Sequence, residues 1–348
     1  MITMKAGNAE SVQPDNTVLA QDSGEFWQLY HGDCCEVIRG IPDNSIDLSV
    51  FSLPFATLYI YSDSVADMGN SDSDEEFFQH YEFLVAELFR VTVPGRLCVV
   101  HCKDLPRYKN RDGAAGLSDF PGKIIAAHER HGWQFHSRIT IWKCPVTEMQ
   151  RTKSYGLLHK QLCKDSTASR QGMADYLVVF RKWVDDLDEF PKPVHGPSED
   201  VRFTEYAGTQ PPGTPIHAVG GDDEMLKAVG PPETPRDYSI QVWQRYASPV
   251  WFDINQMDVL NYQLGKDAKD EKHICPLQKG VVERAVRLWS NPDDVVLTPF
   301  AGIGTEVAIP VELGRRAIGI ELKDSYFKVA CQNARLAEQE RKTKKLFE

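Results

Sequence analysis

Near the C-terminus a β-branched apolar run, Val295-Val296-Leu297, stops at Thr298-Pro299 and is followed by Phe300-Ala301-Gly302-Ile303-Gly304-Thr305. Glu306 to Leu313 then reads as a helix closed by Gly314, and a second apolar run, Ala317 to Ile320, ends at Glu321. Strand, glycine turn, helix, strand and acid in that order constrain the chain to a βαβ unit with parallel strands. Glycines at the turn let backbone approach a ligand, and an acid at the end of the next strand can bind ribose hydroxyls. Glu321 lies 19 residues after Gly302, close to the spacing of about 20 that such sites use. An ordinary βαβ turn has the same outline, so the rest of the chain must decide.

A chain of 348 residues is long enough for one large α/β domain or two small ones. It contains no run of 18 apolar residues, so no membrane span is expected. Residues 1–24 are polar, lack a signal-peptide core and read as a disordered leader. The eight cysteines form no C-x-x-C pair, which excludes a common zinc frame and fits reduced thiols in the cytoplasm. A net charge of −11 argues against nonspecific nucleic-acid binding, so a nucleic-acid surface must be a local patch. Residues 138–182 are such a patch: nine Lys and Arg against three acids, including Arg151, Lys153, Lys160 and Arg170. A solvated positive face accounts for the same composition.

Phe26 to Tyr30 reads as a strand, His31-Gly32-Asp33-Cys34-Cys35 as a turn, and Ile46 to Phe51 as a strand that stops at Ser52-Leu53-Pro54-Phe55. Pro54 cannot donate to a ladder, and strand C-termini are where open α/β sheets bind ligands. Glu75 to Arg90 is an amphipathic helix; Leu97 to His101, Ser137 to Trp142 and Asp175 to Lys182 are strands. Residues 183–245 carry nine prolines and little periodicity, and read as an inserted irregular module. Regular pattern returns with the helix Gly280 to Trp289 and ends with the charged helix Asp324 to Lys344. The expected division is a catalytic half at 25–182, the module at 183–245 and a cofactor half at 246–348.

These residues carry a family resemblance. Ser52-Leu53-Pro54-Phe55 resembles the [Asp/Asn/Ser]-Pro-Pro-[Tyr/Phe] motif of DNA amino-methyltransferases, and Thr298 to Thr305 resembles their Asp-Pro-Phe-x-Gly-x-Gly-Thr cofactor motif. Gly32-Asp33-Cys34, Val93-Pro94-Gly95 and Cys275-Pro276-Leu277-Gln278-Lys279 match further stretches. Catalytic motif first and cofactor motif last resembles the β group. Leu53, Thr298 and Cys275 depart from the family pattern, and Pro310 falls inside the helix after the glycine turn, where it is expected to kink it.

The resemblance implies a doubly wound, Rossmann-like α/β sheet that binds S-adenosyl-L-methionine, interrupted by an irregular target-recognition module. It implies methyl transfer to a base amine in double-stranded DNA after base flipping, without metal or covalent nucleophile. An exocyclic amine is a poor nucleophile because its lone pair is delocalised into the ring. Ser52 offers a side-chain oxygen to its hydrogens, residue 53 a carbonyl that leucine supplies as well as proline, and Phe55 a face for stacking. On that argument Leu53→Pro is expected to be tolerated. Pro54 stiffens the turn. By resemblance, Thr298, Pro299, Phe300, Gly302, Gly304 and Thr305 line the cofactor, Glu321 takes the ribose hydroxyls, Asp33 sits near the adenine, and Gln278 and Lys279 approach the carboxylate. Asp33 is equally readable as a plain turn residue.

Adenine N6 is the expected target: a flat Phe55 favours the larger ring, and by resemblance phenylalanine at the fourth motif position goes with adenine, whereas by the same resemblance serine at the first goes with cytosine N4. Two other classes compete. A nicotinamide-dependent oxidoreductase shares the glycine turn but leaves Ser52 to Phe55 unexplained. A DNA-binding module without catalysis is suggested by Leu53 and Thr298. The resemblance further implies a homodimer or higher homo-oligomer, a bacterial or phage-type nucleoid-associated setting, and no nuclease activity in this chain.

Overall fold

The computed structural model describes residues 18–54, 74–152, 171–185, 245–261 and 276–347. Its centre is a nine-stranded sheet. In chain order the strands are β1 (Val18–Ser23), β2 (Trp27–Gly32), β3 (Ile46–Ser52), β4 (Thr92–Cys102), β7 (Trp133–Ile141), β8 (Asp175–Lys182), β9 (Val250–Trp251), β10 (Val295–Thr298) and β11 (Arg316–Glu321). Two short strands, β5 (Leu105–Arg107) and β6 (Gly116–Ser118), form a separate hairpin. The helices are α1 (Cys34–Val37), α2 (Asp74–Val91), α3 (Lys109–Asp112), α4 (Phe120–Arg130), α5 (Pro145–Thr152), α6 (Lys279–Trp289), α7 (Thr305–Glu312) and α8 (Asp324–Phe347).

Across the sheet the order is β1-β2-β11-β10-β3-β4-β8-β7-β9. Strands β2, β11, β10, β3 and β4 are mutually parallel, whereas β8 runs antiparallel between β4 and β7. Such strands are buried on both faces and alternate accordingly. Cys98, Val100, Val178 and Phe180 join one core with α2 and α4; Leu97, Val99, Leu177 and Val179 join a second core with α6. Helices α7 and α8 cover β2 and β11 on that second face through Val307, Val311, Phe327, Ala330 and Ala334. The doubly wound expectation holds.

Several expectations change. Residues 18–23 belong to an edge strand paired antiparallel with β2, not to a disordered leader. Its sequence is half polar because one side of this edge strand faces solvent and the other is only partly covered. Val93-Pro94-Gly95 lies within β4, at a register shift beside Ile46, where the ladder tolerates proline. Pro310 sits inside α7, among buried residues. Residues 186–244, nearly all of the expected module, lie outside the described residues, as does Cys275. Among the described residues no helix is long and apolar enough to cross a membrane.

Strands β3 and β10 are neighbours, yet β3 leads through α2 to β4 on one side and β10 through α7 to β11 on the other. The winding reverses between them. Crevices at such reversals, outside the strand C-termini, are the binding sites of open α/β sheets.

Candidate active site at the strand reversal

That reversal brings together two stretches 246 residues apart in sequence: Ser52-Leu53-Pro54 leaves β3, and Thr298-Pro299-Phe300 leaves β10. Phe51 and Phe300 rings lie 5.8 Å apart between centroids, tying the two exits together. Phe55 lies outside the described residues.

The glycine turn is held by its own backbone. Ala301 N–H donates to the Ile320 carbonyl at 2.8 Å and Gly304 N–H to the Ala301 carbonyl at 2.7 Å. Gly302 (φ 53°) and Gly304 (φ 93°) are both left-handed, but for different surroundings. A Cβ on Gly304 would come 3.0 Å from the Cα of Ala330 in α8, whereas among the described residues one on Gly302 would meet nothing within 4 Å. Gly304 lies against helix α8; Gly302 meets no described side chain or backbone there. Glu321 reaches back to this turn: one carboxylate oxygen accepts the Gly302 N–H at 2.7 Å and the other the Lys323 N–H at 2.9 Å. Those two bonds fix the carboxylate beside the turn.

The other expected ligand contacts are unevenly placed. Thr298 is fully buried, and among the described residues its hydroxyl oxygen has no partner; the Gln278 side-chain carbonyl is likewise buried and unpartnered at the start of α6. Thr305 is buried as the first residue of α7, and Pro299 is buried directly after β10. Lys279 pairs with Asp258 at 3.2 Å. Asp33 caps α1 by accepting the Cys35 N–H at 2.9 Å, so it has a structural role, and burial raises its pKa. It stands just past β2, whose His31 is in register with Glu321.

The expected catalytic motif has partners that the sequence alone does not reveal. Ser52 and His101 are in register on β3 and β4, and Ser52 Oγ lies 2.9 Å from His101 Nδ1. His101 Nε2 lies 3.1 Å from a carboxylate oxygen of Asp175, and the same oxygen is 2.7 Å from the Lys143 ammonium. His101, Asp175 and Lys143 are all buried. Burial works against ionisation of Asp175, but the His101 hydrogen bond and the charges of Lys143 and Lys103 hold its carboxyl well below the usual carboxylate range. The legible signal was position: His101 closes an apolar strand and Asp175 opens one. The hidden part was that β8 inserts antiparallel beside β4.

Leu53 contributes more than its carbonyl oxygen. Its N–H donates to the His101 carbonyl at 3.2 Å and its side chain is buried in the core shared with α2. Glu306, directly after Thr305, is wholly buried; burial pushes its carboxyl up to about 8, and it accepts the backbone N–H of Ser52.

The basic stretch is partly spent inside the fold. Lys143 serves Asp175, Arg181 donates to the Gly95 carbonyl, and Lys182 donates to the carbonyls of Phe89 and Thr92 at the end of α2. Those three charges are not free for a polyanion, which corrects the simple count. Arg151 lies in the last turn of α5; Lys153, Lys160 and Arg170 lie outside the described residues. Helix α5 follows the C-terminus of β7, on the same sheet edge as Ser52, and its Glu148 pairs with Lys103 at 3.6 Å.

Residues 46–332 match the N6/N4 DNA methylase family. The chain belongs to that family. Type II methyltransferase M.BglII of Bacillus subtilis is 32% identical over 88% of this chain and 68% of its own length. M.BamHI of Bacillus amyloliquefaciens is 22% identical over 92% of this chain, which spans only 59% of that relative. Among solved structures, TTHA0409 of Thermus thermophilus in complex with S-adenosyl-L-methionine is similar at a TM-score of 0.56 and 23% identity, covering 88% of this chain and 93% of that one. The cytosine-N4-specific PvuII DNA methyltransferase is similar at 0.54 and 16%, covering 91% and 92%. These two likenesses bear on the fold.

Proposed function

We propose that this chain transfers a methyl group from S-adenosyl-L-methionine to an exocyclic amine of a base in duplex DNA. The observation that carries the reading is the meeting of Ser52-Leu53-Pro54 with the Thr298 to Thr305 turn at the strand reversal. The site fits the cofactor. Open space beyond Gly302, the fixed Glu321 carboxylate and the unpartnered oxygens of Thr298 and Gln278 offer a cradle and polar groups for a nucleoside with an amino-acid tail. When bound, the cofactor supplies a methyl group already activated on a sulfonium.

The remaining work belongs to the chain. Ser52 Oγ and the carbonyl of residue 53 accept the two amine hydrogens and draw the nitrogen lone pair out of the ring. Pro54 limits the conformations of the turn that carries them. The strands hold these groups in place before substrate arrives, which is how orientation and electrostatics lower a barrier. Stacking by Phe55 and phosphate contacts by Arg151, Lys153, Lys160 and Arg170 are carried over from the sequence.

Adenine N6 is the target favoured by a stacking Phe55. Cytosine N4 is the second reading, favoured by serine at position 52. Expression in a methylation-free host, followed by nucleoside mass spectrometry and sequencing of modified DNA, tests both levels. N6-methyladenine or N4-methylcytosine at a defined site supports the amine reading and names the base; unmodified DNA, with no binding of S-adenosyl-L-methionine by the purified chain, refutes it.

A further inference from the structure

We propose that His101, held by Asp175, is a positioning residue that makes the Ser52 hydroxyl a hydrogen-bond acceptor toward the amine to be methylated. The inference rests on the reading of Ser52 as the amine-binding group and adds how a serine performs that role.

A serine hydroxyl is ambivalent: it can donate one hydrogen bond or accept two. Facing an amine, donation is unproductive, because it would engage the lone pair that must attack the methyl group. An acid or amide oxygen at this position has no such ambiguity. Serine needs its proton to be sent elsewhere.

The chain of contacts behind Ser52 sends it. Asp175 is buried and ionised, with Lys143 at 2.7 Å, so its carboxylate can only accept. His101 Nε2 faces it at 3.1 Å and must therefore carry the ring proton. A neutral imidazole has one N–H, which leaves Nδ1 bare. Among the described residues, the donor that serves Nδ1 is the Ser52 hydroxyl at 2.9 Å. With its proton on the His101 side, Ser52 Oγ presents lone pairs alone to the crevice. Lys143, 2.7 Å from the same carboxylate oxygen, supplies the counter-charge to Asp175. The parallel register sets the Ser52 and His101 backbones side by side.

The tautomer is directly observable. ¹⁵N NMR of the imidazoles should show His101 protonated at Nε2 and hydrogen-bonded but unprotonated at Nδ1, with S52A shifting the Nδ1 resonance alone. A proton on Nδ1 overturns the proposal, whether or not the chain methylates DNA. The kinetic arm separates positioning from support. H101F should lower kcat about tenfold or more with KM for DNA and cofactor unchanged. H101Q, whose amide can donate to Asp175 and accept from Ser52, should recover part of that loss. Adding H101F to S52A should cost nothing further, since His101 acts only through the hydroxyl. Additive losses in the double variant, or full kcat in a folded H101F, overturn it. If the wild type binds cofactor but leaves DNA unmodified, the functional reading fails while the NMR result still decides the hydroxyl's orientation.

Discussion

The buried carboxyl of Glu306 accepts the backbone N–H of Ser52. The residue that follows the cofactor turn thus holds the first residue of the catalytic turn, across the reversal between β10 and β3. A neutral carboxyl suits the place. It accepts the N–H without putting a bare charge in a dry site, and burial, the largest cause, pushes it up to about 8.

Stability should therefore fall with alkalinity through this group. Its folded pKa lies above the unfolded value near 4.5, so its contribution is complete below about 4.5 and is lost as pH rises to about 8. Glu306→Gln keeps an acceptor for Ser52 and cannot ionise. Thermal melts of the two proteins should diverge in favour of the variant between pH 5 and pH 8.5, by on the order of a few kcal/mol. Parallel pH dependences would mean that Glu306 is ionised in the fold at neutral pH.

Leu53→Pro is a second discriminating change. The carbonyl proposed to accept an amine hydrogen survives, but the N–H bond to His101 and a buried side chain are lost. The variant should be destabilised by about 2–4 kcal/mol, while kcat per folded molecule at low temperature stays near the wild-type value. Wild-type melting would show that the β3 exit relaxes freely around the proline, as the sequence alone suggests.

The two glycines of the cofactor turn should fail differently. Gly304→Ala combines a left-handed backbone with a Cβ against Ala330 and should cost stability by roughly 2 kcal/mol or more. Gly302→Ala carries only the backbone cost of about 1–2 kcal/mol, but its methyl projects into the open cradle and should weaken cofactor binding. Melting curves with calorimetric titration of S-adenosyl-L-methionine separate the two effects. Equal losses of affinity at equal stability would remove the distinction.

What was legible in the sequence follows from locality. The βαβ unit at 295–321 and the end of β3 at Pro54 announce themselves through apolar runs, glycines and proline, all set within a few residues. Strands β4 and β8 were visible as apolar runs, but their antiparallel pairing was not, because no short-range signal specifies which strands become neighbours. His101 and Asp175 were therefore read as strand ends, and the buried chain from Ser52 to Lys143 could not be assembled. The charge count over 138–182 failed for the same reason: whether Lys182 caps α2 or meets solvent depends on a partner 90 or more residues away. Edge strand β1 was missed because its polar face looks like a leader.

Glu321 provides the sharpest test of the cofactor side. Its two oxygens accept separate backbone N–H groups, from Gly302 at 2.7 Å and Lys323 at 2.9 Å. Both bonds are charge-assisted, and together they hold the carboxylate beside the glycine turn. Glutamine has nearly the same shape but one acceptor oxygen. In Glu321→Gln one backbone donor must face an NH2 group, and the side chain either rotates or leaves that donor unpaired. Ribose hydroxyls lose a charged acceptor as well. Affinity for S-adenosyl-L-methionine should drop by about tenfold to a hundredfold, with a smaller loss of thermal stability in the ligand-free protein. Calorimetry gives the first quantity and melting the second. Unchanged affinity with reduced stability would make Glu321 a buttress of the glycine turn and would move the ribose contact to another residue.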